Sequence, residues 1–352
     1  MSSRDDFNTV VIGGGQAGLA AGYYLSQRKI DYVILDQHDQ TGESWRRRWD
    51  SLRLFTPSQN NNLPGMKFPR PDLYFPSKDE TAEFLDSYAR HFSLPLKNGV
   101  RVEKLQQNES GYHITAGEDE YHTQNVIVAT GAFHTPYIPE FSFALAPKIF
   151  QLHSKEYRNP VSIPAKQVLV VGAGNSGAEI AIELAKAGKK VWLAGRNVGR
   201  IPADKLGKLF KGKLYWWVLH RVITIHTPLG RRMKAIVLSH GNPLIRITRK
   251  DVLDAGVELS GRMLGVMAGK PKLEGGQVIE AEGVIWATGF HPDYQWIKLP
   301  VFDQHGHPRH ERGVATEMPG LYFVGLHFQR GLTSSLLGGV GEDAKYICRQ
   351  IR

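Results

Sequence analysis

Glycines at 13, 15 and 18, and again at 172, 174 and 177, repeat one spacing twice in a chain of 352 residues. Each set follows a short β-branched run and opens an Ala-rich stretch, so each reads as a strand, a tight turn and a helix N-terminus. Such a helix end presents unpaired backbone N–H groups and the positive end of a dipole, which together hold a pyrophosphate; side chains in the turn would keep the phosphates away. Gln16 and Ala17 follow in the first turn, Asn175 and Ser176 in the second. Two such turns predict two dinucleotides. What separates them is the residue that closes the next strand, Asp36 after Tyr32-Val33-Ile34-Leu35 and Arg196 after Val191-Trp192-Leu193-Ala194-Gly195. A carboxylate there accepts hydrogen bonds from ribose hydroxyls and repels a 2′-phosphate, whereas a guanidinium attracts one. The first site is therefore expected to prefer FAD or NAD and the second NADPH. Gly13 to Asp36 is twenty-three positions and Gly172 to Arg196 twenty-four, close to the roughly 20-residue spacing that this fold imposes on the ribose reader.

The elements that must position these residues are legible around them. The first unit reads strand 9–12, helix 17–27 and strand 32–35, followed by a Pro/Asn/Arg-rich connection from 37 to 77 that holds Trp45, Trp49 and Phe55. A loop of that length is functional more often than idle. A helix over 78–91 and strands near 99–106, 112–116 and 126–129 complete the first lobe. The second unit reads strand 168–171, helix 176–187 and strand 190–193. Ala129-Thr130-Gly131 ends one buried strand run, and Ala287-Thr288-Gly289 ends a later one. An inserted domain explains that repeat: each Ala-Thr-Gly marks a crossing of the chain between two lobes. The expectation is an α/β protein with two Rossmann-like dinucleotide-binding domains, the NADPH domain (161–289) inserted into the FAD domain (1–160 and 290–352). Gly320 to Gly325 supplies a last strand of the first sheet, and a helix from about Leu336 to Arg349 closes the FAD site.

Composition bounds the rest. At 41% hydrophobic and 22% charged the chain reads as globular. With no apolar run long enough to span a bilayer and no signal-peptide core at the start, a cytoplasmic protein is expected. Cys348 is the single cysteine, so no dithiol or cysteine zinc cluster is available. The net charge of +10 is concentrated: between Arg200 and Lys250 twelve Lys and Arg face one acid, Asp204. Within that segment Leu214 to Ile225 is apolar and carries Trp216 and Trp217. Peripheral contact with an anionic membrane, a cover over the NADPH phosphates and a half-buried helix with a solvated face are the open readings. Nucleic acid is not expected, because no binding motif accompanies the charge. Oligomeric state is open, a homodimer included.

Taken together, these motifs resemble the flavin-containing monooxygenases, over nearly the whole chain. The resemblance rests on both glycine turns with Asp36 and Arg196, on Gly42-Glu43-Ser44-Trp45 as a variant of the family's G-G-x-W, on both Ala-Thr-Gly crossings and on the tail 320–325. The small bacterial branch is the nearest pattern. The stretch from Leu52 to Pro69 is also similar to the plant enzymes that oxidise indole-3-pyruvate. The resemblance implies FAD at the first site and NADPH at the second, with a flavin C4a-hydroperoxide that passes oxygen to a small organic substrate such as a thioether, an amine or a ketone. It implies FAD contacts from Gln37, Trp45, Leu54, Thr56, Val102, Thr130 and Gly131, with further cofactor contacts from Thr288, Gly289, Gly325, Gln329, Ser335 and Leu336. Two departures stand out. The fingerprint over Pro147 to Tyr157 keeps His153 and Tyr157 but loses its Phe and Gly, and the family's active-site Asn falls on Phe55. Asn60, Asn61 and Asn62 are the candidates to replace that Asn, with a polar loop tip before Leu63-Pro64-Gly65 as the other reading of all three. The departures keep a second class of reading open, a flavin reductase or oxidase passing electrons to O₂, a quinone or a protein. A non-enzymatic redox-sensing flavoprotein is a third.

Weaker constellations are read as structural. His305, His307 and His310 have ligand types, but Gly306 and Pro308 make their segment a turn, so no metal is expected. His153 is read as a linker histidine. Arg200 and Lys205 are candidates to assist Arg196.

Overall fold

The computed structural model describes residues 4–199, 213–240 and 243–352. Two parallel sheets carry the glycine turns. In the first, β1 (Arg4–Ile12) lies between β2 (Tyr32–Leu35) and β6 (Asp119–Val128); β3 (Leu96–Lys97) flanks β2, and β18 (Leu321–Phe323) flanks β6. These four pairings are all parallel, and the central strands are buried Val/Ile runs, as a sheet covered on both faces requires. β4 (Lys104–Asn108) and β5 (Gly111–Ala116) add an antiparallel arm to the outer half of β6. The second sheet runs β11 (Glu258–Ser260), β10 (Lys190–Ala194), β9 (Gln167–Val171), β14 (Gly283–Trp286), β8 (Phe150–His153), and unlike the first it is wholly parallel. β8 lies ahead of residue 160, so the second sheet draws in a strand from the first side of that expected boundary.

Helices α1 (Gln16–Gln27) and α4 (Asn175–Lys186) follow the two turns. Helix α3 (Lys78–His91) begins where expected because Ser77 and Glu80 form a reciprocal capping box: the Ser77 hydroxyl accepts from Glu80 N at 3.2 Å and Glu80 accepts from Ser77 N at 2.8 Å. Three expected elements differ. The strand expected near 126–129 is the end of β6, which already begins at Asp119. The strand expected near 99–106 starts at Lys104, because Gly99 takes φ +73° and donates with Val100 to the chain beyond β2, onto His38 O and Asp36 O. The last helix starts at Val340 (Val340–Gln350), because Gly339 packs so tightly under Thr333 that a Cβ would lie 1.9 Å from its carbonyl oxygen. In chain order the remaining described helices are α2 (Glu43–Arg46), α5 (Lys213–Arg221), α6 (Pro228–His240) and α7 (Arg249–Asp254), and the last is α8. No helix among the described residues is long and apolar enough to cross a membrane.

The two crossings are fastened to each other. After Gly131 the chain forms β7 (Thr135–Pro136), and after Gly289 it forms β15 (Phe290–His291), which pair antiparallel. Tyr137 N and the His153 imidazole Nε2, at 3.0 Å each, bond the Gly289 carbonyl, and the Thr288 hydroxyl bonds Tyr137 O.

Candidate functional site

The two turns are near copies. Gly13 and Gly172 take φ +110° and +112°, and a Cβ there would lie 2.6 and 2.2 Å from the carbonyl oxygens of Ala129 and Ala287. Gly18 and Gly177 pack against the turn itself: a Cβ on either would lie 1.8 Å from the carbonyl oxygen of Gly13 or Gly172. Gly15 and Gly174 are different: a Cβ on either meets no protein atom within 4 Å. Those two positions face open space at a helix N-terminus, which is where a pyrophosphate fits and where a side chain would displace it.

Around the first turn, Gly14 N donates to Asp36 Oδ2 at 2.5 Å, while Asp36 Oδ1 bonds the His38 amide and imidazole Nδ1 at 2.8 Å each. Burial pushes this carboxyl up, but the bonds from His38 and Gly14 outweigh it and hold its pKa below the usual range. Asp36 is thus an anion at neutral pH. Gln37 beside it is exposed, Ala17 is buried against Gly325, and the Gln16 amide reaches Ser335 O at 3.4 Å, tying α1 to the segment before α8.

At the second turn Arg196 is exposed and lines a pocket with Asn197, Arg249 and Ser260. Arg249, the first residue of α7, is a second guanidinium that spacing alone did not single out; its only signal was membership in the basic run. Arg200 and Lys205 lie outside the described residues. Asn175 is committed to the loop beside it, donating to Pro243 O at 3.1 Å and accepting from Ile245 N at 3.2 Å. Its contribution to an anion therefore comes from the main chain, beside half-buried Ser176.

The 37–77 connection folds back on itself rather than trailing over the surface. Leu54 N donates to Pro76 O and Ser58 N to Tyr74 O, each at 2.8 Å. Leu54 and Thr56 are buried; Phe55 and Trp45 are half-buried. The asparagines separate cleanly. Asn61 is fully buried and spent, accepting from the Thr56 hydroxyl and donating to Thr56 O at 2.9 Å and Pro57 O at 3.2 Å. Asn62 is spent on Gln59 O and Phe68 N. Of the three, Asn60 alone keeps a buried amide nitrogen, Nδ2, with no hydrogen-bond partner, and its main-chain carbonyl oxygen sits against Gly338, where a Cβ would meet it at 1.8 Å. Thr130 Oγ1, at the first crossing, is likewise buried without a partner. Buried polar atoms are satisfied as a rule, so each of these two atoms is a candidate contact for a bound polar group. Among the three candidates for chemistry, Asn61 is a loop brace, Phe55 is apolar and Asn60 carries the free donor. Val102 packs at the edge of the β4–β6 core.

Where the crossings meet, Arg48 lies 5.4 Å from the Phe133 ring and 5.6 Å from the Phe290 ring. It is half-buried, burial lowers its pKa, and no carboxylate pairs with it among the described residues. Sequence reading passed over it as one of three consecutive arginines. His153 is fully buried, with Nδ1 accepting from Lys155 N at 3.1 Å; burial holds its pKa down, and it braces the crossing as a neutral ring.

On the far side, Gln329 is buried and saturated, donating to Arg312 O at 3.0 Å and Phe323 O at 2.8 Å and accepting from Leu326 N at 3.2 Å. Its side chain holds the loop after β18 and has no donor left for a cofactor. Ser335 and Leu336 stay half-buried in the turn ahead of α8. Helix α5 docks Tyr215, Trp216 and Leu219 against Leu332, with His220 Nδ1 2.9 Å from the Thr333 hydroxyl, and leaves Leu214 and Trp217 exposed. This described part of the basic segment is a half-buried cover over 330–333.

Asp343 in α8 is fully buried. Burial, opposed by Ser334, Arg330 and Arg312, raises its pKa from 3.8 to about 6. A carboxyl raised on folding stabilises the fold only while protonated, so this contribution is lost as pH rises from about 4 through about 6. Asp343→Asn should therefore raise stability by about 1–3 kcal/mol near pH 8 and change little near pH 4. Thermal melts of both proteins across that range check it; an equal shift at both ends would contradict it.

The model of the pyridine nucleotide-disulphide oxidoreductase family matches residues 10–226. An uncharacterized CzcO-like oxidoreductase of Geobacillus kaustophilus is 37% identical over 98% of this chain and 98% of its own length. The probable indole-3-pyruvate monooxygenase YUCCA1 of Arabidopsis thaliana is 34% identical, covering 97% of this chain and 89% of the plant protein. Among solved structures, a flavin-containing monooxygenase from Stenotrophomonas maltophilia superposes with a TM-score of 0.80 at 27% identity, over 99% of this chain and 98% of that one.

Proposed function

The chain belongs to the pyridine nucleotide-disulphide oxidoreductase family, in the branch that holds the flavin-containing monooxygenases, and from that premise we propose that it is an FAD-dependent, NADPH-using monooxygenase of a small organic substrate. The family's disulphide chemistry is closed to it: Cys348 is the single cysteine, buried, and burial pushes its thiol up to about 12. The observation that carries the reading is the pair of matching anion cradles, open at Gly15 and Gly174, whose ribose readers have opposite charge. The N-terminus of α1 would hold the FAD pyrophosphate and Asp36 its ribose, with Thr130 Oγ1 and Asn60 Nδ2 supplying polar contacts. The N-terminus of α4 would hold the NADPH pyrophosphate, and Arg196 with Arg249 its 2′-phosphate. When bound, the two cofactors would supply hydride and O₂ activation, the chemistry that puts one oxygen atom into a thioether, amine or ketone and releases the other as water. The protein's share is alignment and exclusion of water. Phe133 and Phe290 flank Arg48 where the crossings meet, and Arg48 would take a negative charge on the substrate.

Two experiments test this. Anaerobic NADPH should bleach the bound flavin, and turnover under isotopically labelled O₂ should place one labelled atom in the product; product without label overturns the proposal. Arg48→Met should raise KM for carboxylate-bearing substrates about tenfold, the loss of one charge-assisted contact. It should leave neutral thioethers unchanged, and a parallel rise for both classes would remove Arg48 from substrate binding.

A further inference from the structure

We propose that His113, Glu120 and His122 form a binding site for a first-row divalent cation, zinc foremost, on the antiparallel arm of the first sheet. Strand alternation sends Tyr112, Ile114 and Tyr121 into the core, so His113, Glu120 and His122 share the opposite face. The register sets His113 directly across from His122, and their rings stack with centroids 4.7 Å apart and planes 20° apart. Glu120, two residues before His122, brings Oε2 to 3.8 Å from His113 Nε2. Donor atoms of all three lie within 4.8 Å of one another. Two imidazoles and a carboxylate are a zinc donor set, and metal–ligand distances of about 2.0–2.2 Å need only a modest closing of these side chains.

A second observation points the same way. His113 Nε2 is buried without a hydrogen-bond partner, while Nδ1 lies 3.1 Å from the side-chain amide of Gln106, the residue paired with His113 on β4. A metal-bound histidine places its other N–H on an acceptor. The two ends of an amide are interchangeable by heavy-atom shape, and with the Gln106 oxygen toward Nδ1 the Nε2 lone pair is free for the cation. His122 precedes the cofactor end of β6, Val128, by six residues, roughly 20 Å of strand. The cation therefore ties β5 to β6 and takes no part in the redox chemistry.

The test is calorimetric titration of the FAD-loaded full chain, first stripped with a chelator, with zinc chloride, repeated with cobalt(II) followed by absorbance. One saturable equivalent is expected. His122→Ala and Glu120→Gln should each weaken it at least about tenfold, with FAD content and the NADPH reduction rate unchanged. A His305→Ala/His307→Ala control should bind as the parent does. No saturable equivalent, or one that survives His113→Ala/His122→Ala, overturns the proposal. Should His122→Ala fail to retain FAD, Glu120→Gln decides, since its side chain is half-exposed and braces no core residue.

Discussion

Arg196→Ala weakens NADPH binding about ten- to a hundredfold and leaves NADH binding unchanged. The guanidinium stands at the end of β10, where a 2′-phosphate would lie, and a charge-assisted contact of this kind contributes about 1.5–3 kcal/mol. NADH lacks that phosphate and has nothing to lose. Arg249 lines the same pocket, so the single variant retains part of the discrimination and Arg196→Ala/Arg249→Ala removes more of it. Dissociation constants from the anaerobic reduction of bound flavin by each nucleotide give the comparison. Equal losses for both nucleotides would show that Arg196 supports the pocket's shape rather than reading the phosphate.

The second large effect separates the two cradles. Gly15→Val yields a folded but colourless protein, whereas Gly174→Val yields a yellow protein whose flavin NADPH no longer bleaches. A Cβ at either position meets no protein atom within 4 Å, so the fold is expected to tolerate the substitution and only the anion is displaced. Losing two N–H contacts to a pyrophosphate, at about 1.5–3 kcal/mol each, amounts to more than a hundredfold in affinity. Gly18→Val is the contrasting variant: its Cβ would lie 1.8 Å from Gly13 O, and it should fail to fold. Flavin absorbance of the purified proteins, with far-UV circular dichroism as the folding check, reads all three. A yellow Gly15→Val would overturn the assignment of the first cradle.

Much of this was legible in the sequence where local chemistry dictates structure. Glycine spacing, the strand-ending Asp36 and Arg196 and the buried Val/Ile runs each carry their own conformational instruction, and the elements they imply lie within a few residues of expectation. What was not legible depends on contacts across long separations. Asn60, Asn61 and Asn62 are identical in type, and only the fold of the 37–77 connection spends two of them and leaves the third with a free donor. The resemblance implies a cofactor contact at Gln329, and only the fold commits its side chain to three main-chain groups. Arg48 and Arg249 were hidden in basic runs, because charge alone does not say which cation faces a cleft. The His113 and His122 pair arises from strand register, which no spacing along one strand reveals. Strand β8 joined the second sheet for a similar reason, its partner β14 lying more than a hundred residues away.

The most direct test of the central claim mixes the anaerobically NADPH-reduced, FAD-loaded protein with aerated buffer in a stopped-flow instrument. Oxygen uptake, flavin absorbance and released hydrogen peroxide are followed together. A monooxygenase consumes its oxygen well before the oxidised-flavin absorbance returns, and added substrate diverts that oxygen from peroxide into product. Immediate return of the oxidised flavin with stoichiometric peroxide, unaffected by thioethers, amines or ketones, would contradict the account and identify a reductase or oxidase built on the same two cradles.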